Sequence, residues 1–373
     1  MSDQAREKNI AEIKQSLRER LKGAKAPFAV TDEVVASAAI ERLTSRDGEH
    51  WGSVWEAAGD GLYEAACAHE AAGRREQARE AFLKAYGLYQ TGRYPVPNHP
   101  KKLACYEKSL RSFIRAGIYF DPPLEAIELP FPGRAGEGSR LPVHVRRRRG
   151  AKQPVLLHWG GIDGWKEEGH PISELFLAQG FATVALDMPG TGQAPLPGSL
   201  DAQRQFVTVL DWIATQAEFD PSRVAILGRS YGGYWATKVA HCYPERVAAA
   251  VNWGGGVHHF FQPQWVMKSQ FADSYLMDLA AARARSVGAS SSAEYAERVK
   301  AFSLLEQGVL DRNHAPILVV NGRDDRQVPV EDVYLLLEHG EPKAVRLFPG
   351  GHMGHTPQTL PTIVNWIRHT AGA

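Results

Sequence analysis

Residues 224–234 read VAILGRSYGGY. Four apolar residues, Val224 to Leu227, run into Gly228, and the helical pattern YWATKVAHCY follows. A strand that turns into a helix within so few residues forces its central residue, Ser230, into a strained backbone conformation. Glycines at 228 and 232 remove the side chains that would collide in such a turn. The Ser230 hydroxyl then stands exposed above a sheet, at a helix N-terminus. A glycine-rich turn with an ordinary N-cap serine has the same composition. The strand before it and the helix after it favour a nucleophile.

Working outward, short apolar runs alternate with helical patterns from residue 125 to the C-terminus. Strands are expected at 125–131, 141–147, 154–159, 181–187, 224–228, 247–252, 316–321 and 344–348, with helices near 165–179, 200–217, 230–241, 330–339 and 357–370. This alternation predicts a mainly parallel α/β sheet whose strands are covered on both faces. The run 257–313 carries no strand signal and is too long for a simple connection. It predicts a helical insertion of the kind that lids a site. Before residue 125 the pattern is helical, with apolar residues three and four apart, as in Trp51, Val54, Trp55, Ala58 and Leu62. Two domains are expected: a helical one over 1–124 and a catalytic one over 125–373.

A serine nucleophile needs a base, and the base an orienting acid. On such a sheet the chain order is Ser, acid, His. PILVVNGRDDRQVPV supplies Asp324 and Asp325 directly after a buried strand. Asp325 is preferred, three residues past Gly322 and shortly before Val328-Pro329. VRLFPGGHMGHT supplies His352 and His355 after the last strand, and the two glycines before His352 let the loop return over the serine. No third metal ligand stands at useful spacing. The strand ending His158-Trp159 leads into Gly160-Gly161-Ile162. A loop there normally gives one backbone N–H to an oxyanion hole, the other coming from Tyr231. Gly161 and Ile162 both remain candidates. His258 and His259, after Trp253-Gly254-Gly255-Gly256, are candidate substrate-binding residues. The four arginines 146–149 read as a solvated hairpin end, and Asp187-Met188-Pro189-Gly190-Thr191-Gly192 as loop structure without a phosphate-binding fingerprint.

These residues resemble the α/β-hydrolase superfamily, with nucleophile, acid and histidine after the fifth, seventh and eighth strands. The string around GRSYGGY is also similar to prolyl-oligopeptidase-type catalytic domains, but the first 125 residues read as helices and leave no room for their propeller. A closer resemblance is to the group of 2,6-dihydroxypseudooxynicotine hydrolase, FrsA-like esterases and fungal pigment polyketide-shortening hydrolases. It rests on Gly160-Gly161-Ile162-Asp163-Gly164-Trp165-Lys166-Glu167-Glu168, on GRSxGG followed by Trp253-Gly254-Gly255, and on an N-terminal helical region of similar length. The resemblance implies a cofactor-independent serine hydrolase of a small carbonyl compound, and a homodimer. Carboxylic-ester hydrolysis leads. Cleavage of a C–C bond in a β-dicarbonyl or acyl-phenol is the alternative, with acylaminoacyl-peptidase or thioesterase chemistry behind it. A non-enzymatic binding protein on this fold would be expected to lack one of the three polar groups.

Composition agrees with this class. The 373 residues are 44% hydrophobic and 23% charged, and 43 Lys and Arg balance 42 Asp and Glu. Near-neutral charge argues against a nucleic-acid partner. No apolar run reaches the ~18 residues of a membrane span, and the polar N-terminus predicts no secretory signal. Three scattered cysteines suit a reducing, cytoplasmic address.

Overall fold

A computed structural model describes residues 6–25, 27–150, 152–272 and 274–372. They form two compact units. One comprises the helices up to Leu124 and takes in a short later segment ending at Ala282; the other starts at Glu125 and resumes at Arg283.

The first unit contains α1 (Ile10–Lys22), α2 (Glu33–Arg42), α3 (Gly48–Ala71), α4 (Arg75–Arg93) and α5 (Pro100–Gly117). Asn9 caps α1 in a reciprocal box with Glu12, and Asp32 and Asp47 cap α2 and α3. α3, α4 and α5 bury one shared apolar core of Ala66, Ala78, Phe82, Tyr86, Phe113, Ala116 and Phe120. The expected insertion 257–313 is divided. Only its short stretch 274–282 clusters with this unit, where polar groups hold it: Lys8 donates to the Tyr275 carbonyl, Tyr94 Oη accepts from Leu276 N, and the buried Lys102 pairs with Asp278.

The second unit is built on eight strands: β1 (Glu125–Pro130), β2 (Arg140–Arg146), β3 (Gln153–Trp159), β4 (Ala182–Leu186), β5 (Phe219–Arg229), β6 (Ala249–Trp253), β7 (Ile317–Gly322) and β8 (Ala344–Phe348). They lie in the order β1-β2-β4-β3-β5-β6-β7-β8. β1 and β2 are antiparallel to their neighbours; every pair from β4/β3 onward is parallel. The helices are α6 (His170–Leu177), α7 (Arg204–Thr215), α8 (Gly232–Cys242), α9 (Pro263–Lys268), α10 (Leu279–Ser286, shared with the first unit), α11 (Ser292–Lys300), α12 (Glu331–Glu338) and α13 (Thr359–Thr370). Alternate residues of the central strands face opposite ways. Leu156, Leu227, Val251 and Val320 pack with Ile172 and Phe176 of α6 and with Ile363 and Ile367 of α13. On the other face the Trp159 ring lies tilted 4.3 Å from that of Phe206 of α7, which lies 6.1 Å from Trp235 of α8.

The basic run departs from expectation. Arg146 and Arg147 are buried rather than solvated, because Glu174 pairs with the first and Glu125 and Glu218 with the second; Arg148 and Arg149 are exposed.

Candidate active site

β5 ends at Arg229 and α8 starts at Gly232, so Ser230 occupies the turn between them. Its φ is +54°, a left-handed value that a serine adopts only at a cost. The turn is held from both sides: Ser230 N donates to the Trp253 carbonyl at 2.7 Å, and Gly233 N to the Ser230 carbonyl at 2.8 Å. At Gly232 a β-carbon would stand 2.2 Å from the Gly160 carbonyl oxygen, so the elbow and the loop after β3 touch backbone to backbone.

The acid loop after β7 and the loop after β8 bring their side chains to the same place. Ser230 Oγ lies 2.7 Å from His352 Nε2, and His352 Nδ1 lies 2.8 Å from Asp325 Oδ2. The Asp325 carboxylate is fully buried and the His352 ring nearly so, at 14% exposed. Burial alone would raise the Asp325 pKa. Hydrogen bonds from His352, from Asn321 Nδ2 (2.9 Å) and from the backbone N–H of Gln327 (2.8 Å) outweigh it and hold the carboxyl below its ordinary value. An ionised Asp325 accepts the Nδ1 proton, which leaves Nε2 as the acceptor facing the Ser230 hydroxyl. Asp324, the competing acid, is largely exposed; it binds Gly350 N and stands beside Arg323. The ring of His355 lies 5.4 Å from that of Trp253.

Gly161 approaches the serine closely. A β-carbon there would stand 2.9 Å from Ser230 Cβ and 3.2 Å from Oγ. Among the described residues the backbone N–H groups of Gly161, Ile162 and Tyr231 have no intramolecular acceptor. The loop is fixed by the Trp165 indole, which donates to the Ile162 carbonyl at 3.1 Å. Beyond it Lys166 is buried with Asp187 at 2.9 Å and Glu167 at 2.8 Å, and Asp187 also accepts the Lys166 and Gln193 backbone N–H groups. The loop after β4 is therefore a charged anchor.

His258 and His259 take part in other contacts. Their backbone N–H groups, with that of Phe260, converge on the buried carboxylate of Asp332 at 2.8–3.0 Å. His258 Nδ1 meets Ser303 Oγ at 2.7 Å. No hydrogen bond joins either ring to Ser230 or His352 among the described residues.

Two further residues hold these loops: Asn321, which belongs to no motif read in the sequence, and Trp253, which opens the Trp253-Gly254-Gly255 motif but to which the sequence alone assigns no role. Asn321, 1% exposed, bonds Asp325 through its amide N–H and accepts from Met353 N (2.9 Å) and Gly322 N (2.8 Å) through its oxygen. Trp253 accepts the Ser230 N–H and sends its indole N–H to the Met353 carbonyl at 2.6 Å. Met353 follows His352 with φ +65°, so both ends of this strained peptide are tied down. The only signal for Asn321 is an amide closing the apolar run ILVV.

Comparison with known proteins bears on the fold and the family. The crystal structure of 2,6-dihydroxy-pseudo-oxynicotine hydrolase superposes with a TM-score of 0.78 at 21% identity, covering 92% of this chain and 93% of that one. By sequence, the 2,6-dihydropseudooxynicotine hydrolase of Paenarthrobacter nicotinovorans is 31% identical over 153 residues, 40% of each protein. The α/β hydrolase gkaG of Penicillium citrinum is 29% identical over 236 residues, 57% of this chain and 53% of that protein. The chain thus spans about half the length or less of these curated relatives. No helix among the described residues is long and apolar enough to cross a membrane. The family model for FrsA-like esterases matches residues 40–370. On that match, which takes in the elbow, both loops and most of the helical unit, the chain belongs to the FrsA-like esterase family.

Proposed function

We propose that this protein is a serine hydrolase of carboxylic esters, with Ser230 as nucleophile, His352 as general base and acid, and Asp325 as the orienting acid. The observation that carries the reading is the unbroken line from Ser230 Oγ through His352 to Asp325, at 2.7 and 2.8 Å. Ser230 Oγ attacks the ester carbonyl as His352 Nε2 takes its proton. The oxyanion that forms accepts backbone N–H groups from Tyr231 and from Gly161 or Ile162. Each aimed donor contributes ~3–4 kcal/mol to the transition state, because the charge exists only there. His352 returns the proton to the departing alkoxide, leaving an acyl-serine and an alcohol. Water then repeats the sequence: His352 takes its proton, the acyl carbon takes its oxygen, and Ser230 leaves protonated as the acid is released. Asp325 keeps the imidazole in one tautomer and stabilises the imidazolium.

The same reading has the chain as a cytoplasmic homodimer working on a small carbonyl compound. The three cysteines, Cys67, Cys105 and Cys242, are unbridged, in keeping with a reducing compartment. Hydrolysis of a C–C bond in a β-dicarbonyl or acyl-phenol remains the competing chemistry. Turnover of a panel sharing one aryl-acyl group, as oxygen ester, thioester, anilide and β-diketone, tests the assignment, with Ser230→Ala as the blank. Ester turnover that vanishes in the blank is the expected result. A diketone cleaved faster than the ester transfers the assignment to C–C hydrolysis, and turnover that survives in the blank removes the serine mechanism.

A further inference from the structure

Among the described residues Arg283 is a buried cation with no carboxylate partner. Its residue is 4% exposed, on a stretch of α10 that belongs to the hydrolase unit. Nη1 donates to Ser269 Oγ at 2.9 Å, and the guanidinium lies over the Phe260 ring at 5.4 Å. Among the described residues Nε and Nη2 have no acceptor and no carboxylate pairs with the group. In the same unit buried Arg146, Arg147 and Lys166 each face a carboxylate, whereas buried Lys238 is satisfied by the Leu200 carbonyl and Gln307 Oε1; the Arg283 guanidinium has neither arrangement in full. Arginine cannot shed its proton to relieve the cost of burial. A guanidinium held largely out of water without a counter-charge is expensive.

The position fits a substrate contact. The Phe260 ring stands edge-on to the Tyr231 ring at 5.4 Å, and Tyr231 is the residue after the nucleophile. Tyr231 and Tyr295, both buried, share this neighbourhood with Arg283. One aromatic ring therefore separates the guanidinium from the residue whose N–H faces the oxyanion.

We propose that Arg283 binds an anionic group, a carboxylate or a phenolate, on the part of the substrate remote from the scissile carbonyl. The inference rests on the serine-hydrolase reading for its place in catalysis, but not for its test. Phe260 would then pack against the apolar spacer between the two ends, and the planar fork of the guanidinium would receive the anion through the donors that are free now.

The test is calorimetric and needs no turnover. 4-Phenylbutyrate and its carboxamide are titrated into the full-length protein and into Arg283→Met and Arg283→Lys. The carboxylate is expected to bind at least about 10-fold more tightly than the amide, the scale of one charge-assisted contact. Arg283→Met abolishes that preference and Arg283→Lys keeps part of it. Removing an unpaired buried charge should also leave the thermal midpoint of Arg283→Met unchanged or higher. Equal binding of the two probes by the parent protein, no binding of either, or a preference that survives Arg283→Met overturns the proposal. A variant that melts earlier and loses both probes alike assigns Arg283 to structure and overturns it too. Hydrolysis of a neutral aryl ester by the same preparations is scored separately: its absence in the parent protein counts against the hydrolase reading and leaves the binding result standing.

Discussion

Asn321 donates its side-chain amide to Asp325 Oδ2, the same oxygen that takes the Nδ1 proton of His352. Its own oxygen holds the backbone on the far side of the histidine, at Met353 N. One buried amide thus holds both the Asp325 carboxylate and the loop that carries His352. Its two halves can be separated by substitution. Asn321→Ala removes both and should lower kcat between about 10- and 100-fold, the cost of a small misplacement of catalytic groups. Asn321→Asp keeps an oxygen for Met353 and Gly322 but places a second carboxyl against Asp325. Burial and the neighbouring charge raise the pKa of the shared proton above the usual carboxylate value of about 4. While that proton is bound, the new side chain donates as the amide does. As pH rises and the proton leaves, two anions face each other. The activity of Asn321→Asp relative to wild type should therefore fall with rising pH, while that of Asn321→Ala stays at a constant fraction. Parallel profiles for the two variants would dismiss the donor role.

The approach of Gly161 to Ser230 leads to a second expectation. A methyl at 161 meets Ser230 Cβ at 2.9 Å and the Arg229 carbonyl at 3.2 Å, and the backbone side of that contact cannot rotate away. Gly161→Ala should push the loop back from the position of the oxyanion. Loss of an aimed donor lowers kcat by about 100-fold or more and leaves KM nearly as it was, since the charge develops only in the transition state. Steady-state kinetics on one ester settles this. An unchanged kcat would mean that the loop does not serve the oxyanion.

What could be read in the sequence, and what could not, follows from how local each demand is. The elbow at Ser230, the eight strands and the placement of Asp325 rather than Asp324 beside His352 all rest on backbone requirements that a few neighbouring residues express. Asn321 is different. Its partners include Met353, 32 positions away, and nothing in ILVVNG distinguishes a positioning amide from any polar strand end. α2 has weaker local support than its neighbours: EVVASAAIER spreads its apolar residues without a clean helical stripe, and the cap at Asp32 is its clearest signal. Arg146 and Arg147 looked solvated because their partners, Glu125, Glu174 and Glu218, come from three separate segments. β5 begins at Phe219 and passes through Pro221, five residues earlier than the apolar run suggests.

Lys166 tests the anchor beneath the loop that follows β3. Its side chain is fully buried between Glu167 and Asp187, which are themselves 1% exposed. Burial opposes the ammonium, but the two carboxylates prevail and keep it charged. Lys166→Met strands two buried anions, and breaking such a pair costs about 3–5 kcal/mol. Urea unfolding should show a lower midpoint with an unchanged slope. A loss below about 1 kcal/mol would indicate that the carboxylates find other partners or take up protons.

His158 links the fold to pH. It sits in β3, fully buried, with Nε2 on Ser173 Oγ at 3.0 Å. Burial, with Arg229 adding to it, pushes its pKa down to about 3. In the unfolded chain the ring titrates near the ordinary value of about 6.5. Between these values the unfolded state binds a proton that the folded state refuses, so stability present above pH 6.5 is lost as pH falls towards 3. The slope from this one group is about 1.4 kcal/mol per pH unit. His144 is shifted the same way, to about 3, and adds a second increment of the same sign. His158→Gln removes one titrating group. Its absolute stability falls, but between pH 6 and 4 its free energy of unfolding should decline less steeply than that of the parent, by about 1.4 kcal/mol per unit. Denaturant melts at four pH values measure both slopes. Equal slopes would mean that His158 is already protonated in the folded protein.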